Sequence, residues 1–228
     1  MSNNKIGTYI LYAIGEIVLV VLGILIAVQI DDWNENRKLK ELENKLLTEL
    51  ISDLQAQAKD IKGNIKTHRT GEMSCYAIIR TIQEDIPLHD SLKRHFVKTY
   101  DFTVFKNKDG AYKMLESQGI SLIGNDSLRY LITDYFEWSV PFILEVQKVT
   151  MQQIVNASEK HLKLFRNFQW GEPLEPWDYE ALKNNQEYVS WLNYTAKNKK
   201  FEAVSYQNLL IRNNKLIKAI DSELSKTK

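Results

Sequence analysis

Glu16 is the residue whose type and position bear most directly on chemistry. It lies in YILYAIGEIVLVVLGILIAVQI, residues 9–30, where only Glu16 and Gln29 interrupt an apolar run. Placing an ionisable group inside such a run costs a few kcal/mol even on insertion scales, so it is rarely left facing lipid. At helical spacing Tyr9, Tyr12, Glu16, Val20, Gly23 and Ala27 share one face, and Gly23-x-x-x-Ala27 is a small-residue pair that lets two backbones approach closely. The candidate helix–helix surface is therefore Tyr12, Glu16, Val20, Gly23 and Ala27. Such a face suits self-association or, in a ring of copies, a path for cations or protons. The plainer alternative is that Glu16, about two turns inside the run, reaches back to the near interface.

The other reactive residue types form no constellation. His68, His89, His95 and His161 make neither H-x-x-x-H nor H-E-x-x-H, and the chain contains no G-x-S-x-G and no phosphate-cradling glycine loop. Cys75 is the only cysteine, which excludes an internal disulfide and a thiolate cluster and is read as a small buried hydrophobe. Asp31, Asp32 and Glu35 could gather a cation only where several copies met, and read more simply as solvated carboxylates. The sequence thus predicts no catalytic residue, no metal, no cofactor and no enzyme. Lysine and arginine number 30 against 29 aspartates and glutamates, interleaved to a net charge of +1, so no basic face is offered to nucleic acid.

These residues must be positioned by helices. About twenty apolar residues at 1.5 Å each cross a hydrocarbon core of about 30 Å, so residues 9–30 read as one transmembrane helix in a lipid bilayer. Tyr9 and Tyr12 at one end and Trp33 beyond the other stand where interfacial aromatics belong. The run is too long for a signal-peptide core and ends in Ala27-Val28-Gln29 rather than an A-x-A-like site, so it reads as an uncleaved anchor. Lys5 on the short flank against Arg37, Lys38, Lys40 and Lys45 on the long one leaves both orientations open.

The expected organisation is an N-terminal tail over 1–8, the span over 9–30, a juxtamembrane stalk helix over 31–70, and a helical extramembrane domain over 71–228. Leu39, Leu42, Leu46, Leu50, Leu54, Ala58, Ile61 and Ile65 recur at three or four, one apolar stripe that should pack on the chain's own later helices. Gly71 is read as the first strong break, followed by short helices over 72–83 and 91–100 and an extended connector around FTVF, residues 102–105. A helix over 109–119 should end at Gly119 and the next begin at an Asn125 or Asp126 cap, with a kink near residues 138–141 caused by Pro141. WGEPLEPW, residues 170–177, is an ordered turn despite its literal PxxP spacing, and helices over 178–197 and 201–225 complete an all-α fold.

The block YILYAIGEIVLVVLGILIAVQIDDWNENRK, with YKMLESQGISLIGNDSLRYLITDYFE and LLIRNNKLIKAIDSEL further on, resembles an uncharacterised family of bacterial single-pass membrane proteins abundant in the Bacteroidota. Its members open with a closely similar YAIGEIxLVxxGILIAxQIxxWNE segment. The resemblance implies an inner-membrane protein of no established activity, with a cytoplasmic N-terminus and a periplasmic domain. Two functional expectations stand. One is a non-enzymatic, membrane-anchored scaffold that forms a homo-oligomer through its span and binds a further, unidentified protein partner. The other is an oligomeric channel-like or stator-like component with Glu16 in the ion path.

Overall fold

The structure, a computed structural model, describes residues 3–169 and 171–226, with side chains from Ile14 onward. Among the described residues all regular structure is helical: α1 (Asn3–Gln83), α2 (Asp90–Thr99), α3 (Gly110–Gln118), α4 (Asp126–Asp134), α5 (Val140–His161), α6 (Tyr179–Lys183) and α7 (Gln186–Ser225). The 81 residues of α1 make a rod about 120 Å long at the helical rise. Its most apolar 18-residue window has a mean hydropathy of 2.3, and none of that window is buried. This is the one described helix long and apolar enough to cross a membrane.

The same rod supplies half of the bundle's spine. Leu46, Leu47, Leu50, Leu54, Ala58 and Ile61 are buried, as the stripe requires, and Leu39 at its start is exposed. The 40-residue α7 packs antiparallel on α1: Leu54 meets Asn213, His68 meets Glu202, and Gly71 meets Lys199. Two hydrophobic clusters result. One gathers Leu47, Leu50, Ile132, Tyr135, Leu209, Leu216 and Ile220, the other Cys75, Ile78, Phe96, Tyr100, Phe165, Tyr188 and Leu192.

Two expected helix breaks are absent. Gly71 is buried within α1, because a Cβ there would stand 2.4 Å from Lys199 Cδ. Glycine at this position makes room for a partner side chain rather than ending a helix. The Asn198-Lys199-Lys200 stretch likewise continues α7, since the Lys199 stem fills the slot that Gly71 leaves. The helix expected over 178–197 is instead broken at Asn184 and Asn185, where the Asn185 side chain accepts from Tyr188 N and opens α7; the other local signals hold. Gly119 caps α3 at φ +92°, where a side chain would be strained, and Asn125 Oδ1 accepts from Leu128 N at 3.2 Å to open α4. The Pro141 kink takes the form of a π-helical turn, Tyr135–Ser139, just ahead of it. Widening the helix there relieves the clash of the proline ring with the preceding turn and leaves Pro141 in the first turn of α5, where no N–H is needed. The 101–109 connector is irregular and pinned to the core by Phe105 N to Gln147 Oε1 at 2.7 Å and Lys106 N to Asp60 Oδ2 at 3.0 Å. The loop after α5 is ordered by the Phe165–Pro176 bridge and by Arg166 over the Trp177 ring.

Candidate functional site

Glu16, Val20, Gly23 and Ala27 all lie exposed along α1, and a Cβ built on Gly23 meets nothing within 4 Å. The side chain of Tyr12 lies outside the described residues. Among the described residues the bundle brings no group to this face. Asp31, Asp32 and Glu35 are exposed as well, and among the described residues no cluster of histidine, cysteine and carboxylate side chains could hold a metal.

Polar residues that periodicity did not single out are gathered where α1, α7 and the 101–109 connector meet. His68 and Glu202 are both buried, with Nδ1 3.0 Å from Oε2, and His68 Nε2 lies 2.8 Å from Thr103 Oγ1. Tyr206 stacks on the imidazole at 5.5 Å. His68 Nδ1 and Glu202 Oε2 are both buried and neither atom has another polar partner, so each answers the other's desolvation. Beside it Lys199, only 1% exposed, lays its stem over Gly71 and donates from Nζ to the Asp101 carbonyl. Burial pushes its ammonium pKa down, and the Glu202 carboxylate opposes that. The order carboxylate, imidazole, hydroxyl has the connectivity of a hydrolytic triad. Thr103, however, lines none of the cavities along α5 and α7, which makes the array a tie between three segments. Its signal was present in the sequence: Leu192, Thr195, Ala196, Lys199, Glu202, Ala203 and Tyr206 follow the three-four spacing of a buried face, with charged residues in core positions.

A groove runs between α5 and α7. At its distal end a cavity of about 240 Å³ has a floor of buried Thr150, Ile154, His161, Thr195, Lys199 and Glu202 and a rim that includes Gln153, Lys160, Glu187, Trp191, Tyr194 and Asn198. It shares Thr150, Gln153, Asn198 and Glu202 with a second cavity of about 260 Å³, whose walls are Phe142, Val146, Val149 and Phe201. That in turn shares Phe142 and Phe201 with a third of about 520 Å³ beside Trp138, Val204 and Leu209. Trp138, Phe142, Val149, Phe201 and Val204 are all exposed. At the distal end burial pushes the His161 imidazole down to about 4, so it stays neutral and shares a 2.8 Å hydrogen bond with the Tyr100 hydroxyl.

An apolar helix that runs unbroken into an antiparallel helical bundle defines an all-α protein with one candidate membrane span. Residues 16–169, more than half of the chain, match the family of unknown function DUF6090, and the protein belongs to that family. Comparison with curated proteins and with solved structures gives no match. The matched region includes Glu16 to Ala27, His68, Thr103 and all of α5; Lys199 and Glu202 on α7 lie beyond it.

Proposed function

We propose that the protein is a membrane-anchored, non-enzymatic helical interaction protein whose span associates with a second copy and whose α5–α7 groove receives a binding partner. The observation that carries this reading is the continuity of α1: the apolar stretch around residues 14–30 is wholly exposed, while Leu46 to Ile61 of the same helix are core. An exposed apolar rod is unfavourable in water, and a membrane removes that cost. With no break between the two halves, a partner on the bundle is coupled rigidly to the span. In a bacterial inner membrane the short N-terminal flank would be cytoplasmic and the bundle periplasmic.

Single cysteines at positions 16, 20, 23 and 27, scanned in native membranes, test the association directly. Crosslinks at these positions and none on the opposite face are expected. Glu16→Gln should preserve them, because an amide still donates and accepts, whereas Gly23→Leu should abolish them sterically. Absence of crosslinks at all four positions would refute self-association. Loss of function in Glu16→Gln with crosslinks intact would favour an ion path instead. Alkaline phosphatase fused after Lys228 should be active, and an inactive fusion beside a bright cytoplasmic fluorescent one would reverse the orientation.

A further inference from the structure

We infer that the α5–α7 groove holds a single-chain amphiphile, its uncharged, hydroxyl-rich head in the distal cavity and its hydrocarbon chain along the apolar stretch beyond. This names the occupant of the groove in the proposed function and rests on that reading. The argument is the way polarity is distributed. A groove made for a partner helix is apolar along its length, with polar rims on both sides. Here the polar lining is concentrated at one end: polar residues dominate the distal cavity, while beyond it Phe142, Phe201, Trp138 and Val204 make the walls and the polar groups, the Asp134–Arg212 ion pair among them, stand beside that apolar strip.

The distal cavity balances its charges, Lys160 and Lys199 against Glu187 and Glu202, and so selects neither a cation nor an anion. What remains is neutral hydrogen-bonding capacity. Thr150 on α5 and Thr195 on α7 are both buried on the floor, and their hydroxyls have no partner among the described residues. Hydroxyls both donate and accept, which matches them to the hydroxyls of a polyol or sugar head. At about 240 Å³ the cavity lies below the range of roughly 300 to 1,000 Å³ that holds drug-sized ligands, so it admits one small ring.

The adjoining walls carry exposed Phe142, Val149 and Phe201, then Trp138 and Val204. From Val149 to Trp138 the helical rise covers about 17 Å, close to the half-thickness of a hydrocarbon core of about 30 Å that one acyl chain fills. Its apolar end lies toward the level of Leu54 on α1 and its polar end at the level of His68 and Gly71, so the chain points back toward the apolar segment. Leu54 is already about 36 Å along the rod from Ile30, so the occupant is held clear of the bilayer.

The test uses the full chain in phosphatidylcholine nanodiscs and an octyl β-glucoside with a diazirine at its chain end. Photolysis should label the peptides around Trp138, Phe142 and Val204. Competition by n-alkyl β-glucosides at measured free concentration should strengthen about fourfold per added methylene until the apolar stretch is filled, and glucose alone should not compete. Alkyl sulfates and alkyl trimethylammoniums of equal chain length should compete at least tenfold less well. Val149→Glu, at an exposed wall position, should abolish groove labelling. Thr195→Val should leave labelling by a plain alkyl diazirine unchanged while weakening the glucoside, and both variants are checked for unaltered helicity and melting. Label confined to α1 around residues 14–30, or groove label indifferent to Val149→Glu, would overturn the inference. Equal competition by charged and neutral heads would overturn the assignment of the head. If labelling fails while the span crosslinks persist, this inference falls and the anchored scaffold stands.

Discussion

Gly63 and Gly71 lie two turns apart on α1, and replacing each by alanine should move stability in opposite directions. Alanine is better than glycine in a helix interior by about 1 kcal/mol. At Gly63 a new Cβ meets nothing within 4 Å, so the whole gain should appear. At Gly71 the new Cβ stands 2.4 Å from Lys199 Cδ, 2.8 Å from Cε and 3.1 Å from the Lys98 carbonyl. The carbonyl is backbone and cannot yield. The lysine stem is buried, and moving it surrenders the bond from Nζ to the Asp101 carbonyl. Overpacking costs about 1–3 kcal/mol and a hydrogen bond from a charged group about 1.5–3, so after the helical gain a net loss of about 1.5–5 kcal/mol is expected. At about 2–4 °C per kcal/mol for a domain of this size, Gly71→Ala should melt roughly 3–20 °C below the parent and Gly63→Ala a few degrees above it. Thermal unfolding of the full chain in detergent, followed by far-UV circular dichroism, measures both. Equal upward shifts would refute the packing argument and restore Gly71 to an ordinary weak spot in a helix.

Leu50→Ala, at a core position 1% exposed, should cost about 2–5 kcal/mol, and unchanged melting would mean that the stripe is not packed on its own bundle. The His161 imidazole sits at about 4 when folded against about 6.5 when free, so the unfolded state binds more protons between those values. Stability should therefore be full above about pH 6.5 and fall toward pH 4, and His161→Gln should flatten that part of the profile; an unchanged slope would assign the acid sensitivity elsewhere. Cys75 is buried, and its thiol is pushed up to about 12 by desolvation, so maleimide should modify it only after denaturation. Rapid native labelling would show that the cluster of Cys75, Ile78, Phe96 and Tyr188 opens.

Most of the architecture was legible because it rests on period and punctuation. The stripe from Leu42 to Ile61, the caps at Gly119 and Asn125 and the distortion ahead of Pro141 each follow from one local rule, and each stands where that rule puts it. The Asn185 cap that divides α6 from α7 is a local signal the 178–197 reading passes over; the other two errors share one cause. Local propensity marks Gly71 and the Asn198-Lys199-Lys200 stretch as boundaries, and both are interior because Gly71 and Lys199 pack against each other across more than a hundred residues. The α5–α7 groove was hidden for a related reason. Phe142 and Phe201 look like core residues on two separate helices, and only the tertiary arrangement places them on facing walls, exposed. That Glu16, Val20, Gly23 and Ala27 lie uncovered by the bundle follows from the length of the apolar run, which is a property of a single helix.

The buried polar groups matter most for register. Two long helices with stripes of leucine, isoleucine and alanine could slide by a turn at little hydrophobic cost, since one aliphatic residue would replace another. A shift of one turn, about 5.4 Å, would leave Glu202 without His68, Lys199 without the space above Gly71, and Asn213 without the Leu54 carbonyl and the Tyr135 hydroxyl, to each of which it now donates at 3.0 Å. Each buried polar group orphaned in this way costs about 1–3 kcal/mol, and a charged one more. Together these penalties are of the order of a whole domain's stability, so a one-turn slip is excluded. The same residues thereby set the height of the α7 wall of the groove above the membrane-spanning segment, because α7 has no freedom to move along α1.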